Sequence, residues 1–164
     1  MIKKFLMIIS ILTLIIFTLG CYYKTEPYNL KDESSKLSNY ENVIVTLERT
    51  ECYGPCPVYK LTIDGNGGVI YEGEKYVKTK GKKTSKISLN KVKELVETFY
   101  TLDYFSLNDS YYGDITDLAT VVTSISINGT TKRVIDYYGA PERLYQIENK
   151  IDEVANSKQW IEKK

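Results

Sequence analysis

Apolar positions follow three rhythms along this chain. From Phe5 to Leu19 they are almost continuous, broken only by Ser10, Thr13 and Thr18. From Asn42 onward they alternate with polar positions, the two-residue period of a strand with one face inward. Val43, Val45 and Leu47 mark the first such strand; Tyr59, Leu61 and Ile63 mark the second. Asp64-Gly65-Asn66-Gly67-Gly68 between the second and third is a hairpin signal, because Gly and Asn tolerate positive φ. Val69 to Val77 reads as the third strand and Thr84 to Leu89 as a short fourth, with Lys78 to Lys83 as a solvated loop between them.

The third rhythm is helical. Val92, Leu95, Val96 and Phe99 fall at i, i+3, i+4 and i+7, which predicts a helix over about 90–101 capped by Ser88 or Asn90. Tyr104 and Phe105 lead into a polar loop, 108–117. Residues 118–127 are rich in β-branched types and predict a strand; Asn128-Gly129 turns it into a partner over 131–138. Pro141 suits the first turn of a second helix, whose stripe is Leu144, Ile147, Ile151 and Val154. The order is β-β-β-(β)-α-β-β-α. It predicts an α+β two-layer domain, an antiparallel sheet with two helices packed on one face.

The continuous run is a targeting segment. Lys3 and Lys4 precede it, and about 15 apolar residues are too few for a membrane span, which needs roughly 20. Thr18-Leu19-Gly20-Cys21 then resembles the lipobox of bacterial lipoproteins, although Thr18 stands where leucine is usual. The resemblance implies cleavage before Cys21, a diacylglycerol on its thiol and an acyl chain on its amine. Two or more chains anchor stably where one is marginal. The expected organisation is a signal peptide at 1–20, the lipidated cysteine and a polar tether at 21–41, one domain at 42–158 and a tail at 159–164. The expected location is the bacterial cell envelope, with the domain facing the periplasm or the exterior.

Charge and composition narrow the chemistry. Lys and Arg number 22 against 21 Asp and Glu, so there is no electrostatic case for a nucleic-acid partner. Removing Lys3 and Lys4 with the signal leaves 20 basic against 21 acidic side chains, with no polybasic patch for anionic lipid. The chain has no histidine. That excludes Ser-His-Asp and Cys-His catalysis, and histidine-ligated zinc, iron or haem. No catalytic residue, metal ligand or cofactor fingerprint emerges, so the only implied prosthetic group is the lipid on Cys21.

Cys52 and Cys56 flank Tyr53-Gly54-Pro55 between two strands. Gly54 and Pro55 can turn the chain sharply enough for a disulfide, and an exported pair would stay oxidised. The structural reading is a bridge that pins a strand-to-strand turn and presents Tyr53, Gly54 and Pro55 as an interaction loop. Two other readings stay open. Thiol–disulfide exchange is suggested by the likeness of Tyr53-Gly54-Pro55-Cys56 to the Cys-Gly-Pro-Cys of thioredoxins, though the first cysteine lies one residue too far away. Cu(I) handling is suggested by Cys-x-x-x-Cys-Pro, found in copper-binding oxidase assembly proteins; that family completes its site with a histidine.

A longer string, Arg49-Thr50-x-Cys52-Tyr53-Gly54-x-Cys56-Pro57-x-Tyr59, resembles the signature of the domain of unknown function 6438 family. Tyr71-x-Gly73, Tyr104-Phe105-x-Leu107, Asp117 and Pro141-x-x-Leu144 extend the likeness over about 42–155. It implies an exported or lipid-anchored protein and offers no activity to carry over. Asp109, Asp114 and Asp117 match no calcium loop spacing and read as a solvated turn. Tyr111, Tyr112, Tyr137 and Tyr138 read as half-buried packing. The sequence favours a non-enzymatic binding or interaction module, membrane-attached through its lipid, with an envelope protein as partner.

Overall fold

A computed structural model describes residues 40–162. The expected signal peptide, Cys21 and the expected tether as far as residue 39 lie outside the described residues. The elements are β1 (Val43–Arg49), β2 (Val58–Asp64), β3 (Gly68–Lys75), β4 (Gly81–Lys86), α1 (Leu89–Thr101), a 3-10 turn (Tyr104–Ser106), β5 (Ser110–Tyr111), β6 (Val121–Ile127), β7 (Thr130–Asp136), α2 (Glu142–Ala155) and α3 (Lys158–Ile161). They form the expected α+β domain. Seven strands lie in the order β4-β3-β2-β1-β6-β7-β5, antiparallel throughout except for β5, which pairs parallel with β7.

The alternating pattern becomes one buried face. Leu47 pairs with Leu61 on one side and Thr123 on the other, and Leu61 pairs with Tyr71. These four side chains point inward with Val43, Val45, Tyr59, Ile63, Ile125 and Val134. The helices cover that face through the two stripes read from their spacing: Val92, Leu95, Val96 and Phe99 on α1, and Leu144, Ile147, Ile151 and Val154 on α2. Fully burying one such side chain contributes about 1.5–3 kcal/mol, so the two stripes hold the layers together. Thr123 is buried among apolar groups, and its hydroxyl meets the Tyr104 hydroxyl at 2.8 Å.

The turns follow local chemistry. Asp64 Oδ1 accepts from the backbone N–H of Asn66 and of Gly68, both at 2.9 Å. Gly67 sits at φ +83°, and a Cβ there would lie 2.4 Å from the carbonyl oxygen of Ile87. Asn128 and Gly129 both take positive φ, as a two-residue hairpin of this hand requires. Ser88 caps α1 by accepting from the Lys91 N–H.

Two boundaries differ from the sequence reading. The fourth strand runs over Gly81–Lys86 and takes in Lys82 and Lys83, which read as loop from their composition. An edge strand exposed on both faces carries no alternation to reveal it. The domain also continues past 158. Trp160 is buried and stacks on Tyr71, with ring centroids 4.9 Å apart, and the expected tail is thus partly α3. The β3–β4 connection secures it: Thr79 N–H donates to Trp160 O at 2.9 Å.

Candidate functional site

The loop 50–57 joins β1 to β2 at the end of the sheet opposite the entry of the chain at Val43. Cys52 and Cys56 are joined there by a disulfide, with Cα atoms 5.8 Å apart. The disulfide expected from the sequence is thus present. The Gly54 N–H donates to Cys52 Sγ at 3.2 Å. The loop is also tied sideways to the segment that leads into β6. Thr50 N–H donates to Thr120 O at 3.0 Å, Thr120 N–H donates to Thr50 Oγ1 at 2.9 Å, and Tyr53 N–H donates to Asp117 O at 3.1 Å. Asp117, at φ +74°, thus orders the entry to β6 through its carbonyl.

These ties leave Tyr53 outside the packing, 89% exposed. Pro55 is exposed beside it, and the two cysteines are half-buried. Of the other tyrosines singled out, Tyr112 and Tyr138 are exposed and Tyr111 and Tyr137 half-buried. The Tyr138 ring lies against Gly113, and the Tyr112 and Tyr137 rings are 6.2 Å apart.

Below the loop is a second constellation that no local pattern announces. Arg49 and Tyr59 form the last register pair of the β1–β2 ladder. Both reach Asp152 on α2. Arg49 Nη2 donates to Asp152 Oδ2 at 3.0 Å, and the Tyr59 hydroxyl donates to the same carboxylate at 2.8 Å. Arg49 Nε donates to the Tyr59 oxygen at 3.0 Å, and the Ser157 hydroxyl donates to Asp152 Oδ1 at 2.5 Å. Three donors, from β1, from β2 and from the residues after α2, therefore converge on one carboxylate. Burial holds the Tyr59 hydroxyl well above its ordinary pKa, and the Asp152 charge adds to the effect. Arg49 is held above its ordinary value by Tyr59 and Asp152 against the opposing effect of burial.

Behind Arg49 lie two buried carboxyl groups, Asp136 at the end of β7 and Glu148 on α2. Glu148 Oε2 stands 3.9 Å from Arg49 Nη1. Burial raises the pKa of both groups. A signal for Glu148 exists in the sequence. It falls on the α2 stripe between Ile147 and Ile151, where a charged residue is out of place. Asp136 carries one too: it follows Val134 by two residues in the strand read over 131–138, on the inward face, where a charged residue is equally out of place.

A cleft of about 690 Å³ opens beside this network, between the base of the cysteine loop and α2 and α3; Pro57, Tyr59, Asp152, Ser157 and Lys158 line it. Hydroxyl, carboxylate and ammonium groups share its wall with apolar carbon. Among the described residues no group of three His, Cys, Asp or Glu side chains is placed to hold a metal ion. No helix among them is long and apolar enough to cross a membrane.

No curated protein matches the chain. Residues 43–155, from the first residue of β1 to the last of α2, match a family described as Domain of unknown function (DUF6438), and span the disulfide loop, Arg49, Tyr59 and Asp152, and both core helices. The chain belongs to that family.

Proposed function

We propose that this protein is a lipid-anchored component of the bacterial cell envelope whose domain is a non-enzymatic binding module, working through the disulfide-closed loop that carries Tyr53, Gly54 and Pro55. The observation that carries the reading is the 89% exposure of Tyr53 on a loop fixed by a covalent bridge and by backbone bonds to Asp117 and Thr120. An aromatic ring on a rigid support loses little conformational freedom when a partner covers it. Tyr is also among the residues enriched at protein interfaces.

The direction of β1 supports the same reading. The domain is entered at Val43 and the loop emerges after Arg49, at the end of a seven-residue strand. At about 3.3 Å per residue the loop stands about 20 Å from the entry point. An anchor on Cys21 would attach at the entry end, and the loop lies at the other end of β1.

The test is site-specific photocrosslinking in the native envelope. A photoreactive residue replaces Tyr53 and, as a control, Tyr76, which is exposed at the β3–β4 connection. A discrete adduct from position 53 that is absent from position 76 is the expected result. Identical products from both positions, or none from 53, would remove the loop as the working surface. Mixed disulfides trapped at Cys52 or Cys56 would turn the assignment to thiol–disulfide exchange.

A further inference from the structure

Asp136 and Glu148 are 4% and 3% exposed, the two acidic residues buried in the interior among the described residues. Asp136 Oδ1 and Glu148 Oε1 are buried and find no hydrogen-bond donor among those residues. The two carboxyl groups lie within hydrogen-bonding reach of each other. Two carboxylates so placed would repel, and each would retain an unsatisfied oxygen out of contact with water.

We propose that Asp136 and Glu148 form a buried site for one proton, which joins β7 to α2 as a carboxyl–carboxylate hydrogen bond and ties the protonation of the core to the Arg49–Asp152 network beside the cleft. With the proton in place one group donates and the other accepts, and the pair carries a single negative charge. That charge faces one guanidinium, Arg49 of β1, whose Nη1 is 3.9 Å from Glu148 Oε2.

The other ionisable groups facing the pair are few. Asp152 and Tyr145 stand on α2 itself, and Tyr104 belongs to the 3-10 turn. The buried face of α1 is Val92, Leu95, Val96 and Phe99 and supplies none. Arg49 is thus the cation that answers both Glu148 and Asp152. Loss of the proton leaves a second charge in the interior and draws Arg49 from Asp152 towards Glu148, away from the cleft wall.

The chemistry of the site sets the direction of the effect. Burial, with the Asp136 charge adding to it, pushes Glu148 up to about 8, far above the ordinary carboxyl range. The folded-state value is raised above the unfolded one. The contribution to stability is therefore complete at acid pH and is lost as pH rises through the folded value.

The experiment is a carboxyl ¹³C NMR titration of the full chain between about pH 4 and about pH 10, with the Glu148 resonance assigned through its own backbone. Its midpoint is expected near 8, and to fall by at least one pH unit in Asp136→Asn, because that change removes the Asp136 charge and hydrogen bond that raise Glu148. A wild-type midpoint below about 5, the range of an unperturbed Glu, would overturn the proposal. So would a midpoint that Asp136→Asn leaves in place. Urea midpoints supply an independent reading. Wild type should lose stability as pH is raised from about 6 to about 9, and Glu148→Gln should stay level over the same range. Equal slopes in the two proteins would overturn the shared proton.

Discussion

Arg49 and Asp152 are 103 residues apart in sequence and 3.0 Å apart in the fold. The contact joins the end of β1 to α2 at the place where the cysteine loop leaves the sheet. It explains why an arginine stands at an inner corner of the domain. Its charge is answered by Asp152, and its Nε is taken up by Tyr59.

Arg49→Ala should therefore destabilise the domain by about 2–3 kcal/mol, since hydrogen bonds to charged groups are each worth about 1.5–3 kcal/mol and Asp152 keeps its donors Tyr59 and Ser157. Arg49→Lys should recover only part of that loss, because an ammonium cannot bond Tyr59 and Asp152 together as the planar guanidinium does. Urea unfolding of the three proteins at one pH measures both differences. A lysine variant as stable as wild type would show that charge alone is required.

Trp160 supplies a second expectation. It is the chain's single tryptophan and it packs on Tyr71, whose hydroxyl donates to Thr79 O at 3.0 Å. Truncation after Ser157 removes the ring and the α3 carbonyls that accept from Lys78 and Thr79. Trp160→Ala should cost about 3–5 kcal/mol, the usual range for deleting a buried large aromatic ring. The same ring should report unfolding by its emission, since it passes from the Tyr71 face into water. An unchanged urea midpoint for Trp160→Ala would make the end of the chain dispensable.

The legibility of these features in the sequence differs for a physical reason. The stripes of α1 and α2 and the alternation of β1 and β2 are local, because a periodic face must repeat along its own element. Asn128-Gly129 is local too, being a turn that only a few residue types can make. Asp152 carries no such mark. Its partners come from β1 and β2, and their meeting depends on the placement of β1 between β2 and β6, which no single segment specifies. β5, two residues long and held by β7, arises in the same non-local way. Trp160 is hidden by its neighbours. One apolar ring and one isoleucine between charged residues resemble a tail until the Tyr71 surface that receives them is known.

Gly129 tests the turn directly. It sits at φ +84°, and a Cβ at this position would meet nothing within 4 Å, so space is not the constraint and backbone conformation is. Gly129→Ala should destabilise by about 1–2 kcal/mol, the cost of holding an L-residue left-handed, while Asn128→Gly should change stability by well under that amount. Thermal unfolding of the two variants separates them. Equal losses would mean that the Asn128 side chain, and not the turn geometry, holds the hairpin.

The proposed anchoring rests on Cys21. Cys21→Ala should release the protein from the membrane fraction into the soluble fraction after export, because a chain with 20 basic and 21 acidic side chains has no other strong attraction to anionic lipid. Membrane fractionation with detection of the chain is sufficient. Unaltered partition of the variant would sink the lipid anchor and require another means of attachment.

The disulfide separates a structural loop from a working one. Cys52 and Cys56 enclose only about five residues, and in the chain-entropy model a loop of that length is worth about 2 kcal/mol. Cys52→Ala/Cys56→Ala should thus fold, keep the β1–β2 ladder and lose about that much in urea. Thr50 still has its partner at Thr120, which keeps the base of the loop against the β6 entry, while the Tyr53–Asp117 bond loses the covalent closure that supports it. The consequence for binding is larger than the consequence for stability. Without the bridge, Tyr53 must be ordered by its partner, at about 1–2 kcal/mol for each residue whose backbone becomes fixed. Crosslinking from position 53 should fall by at least tenfold in the double variant, while the spectrum of the folded domain is retained. Full crosslinking from the bridgeless chain would mean that the hydrogen bonds to Asp117 and Thr120 suffice to present the ring.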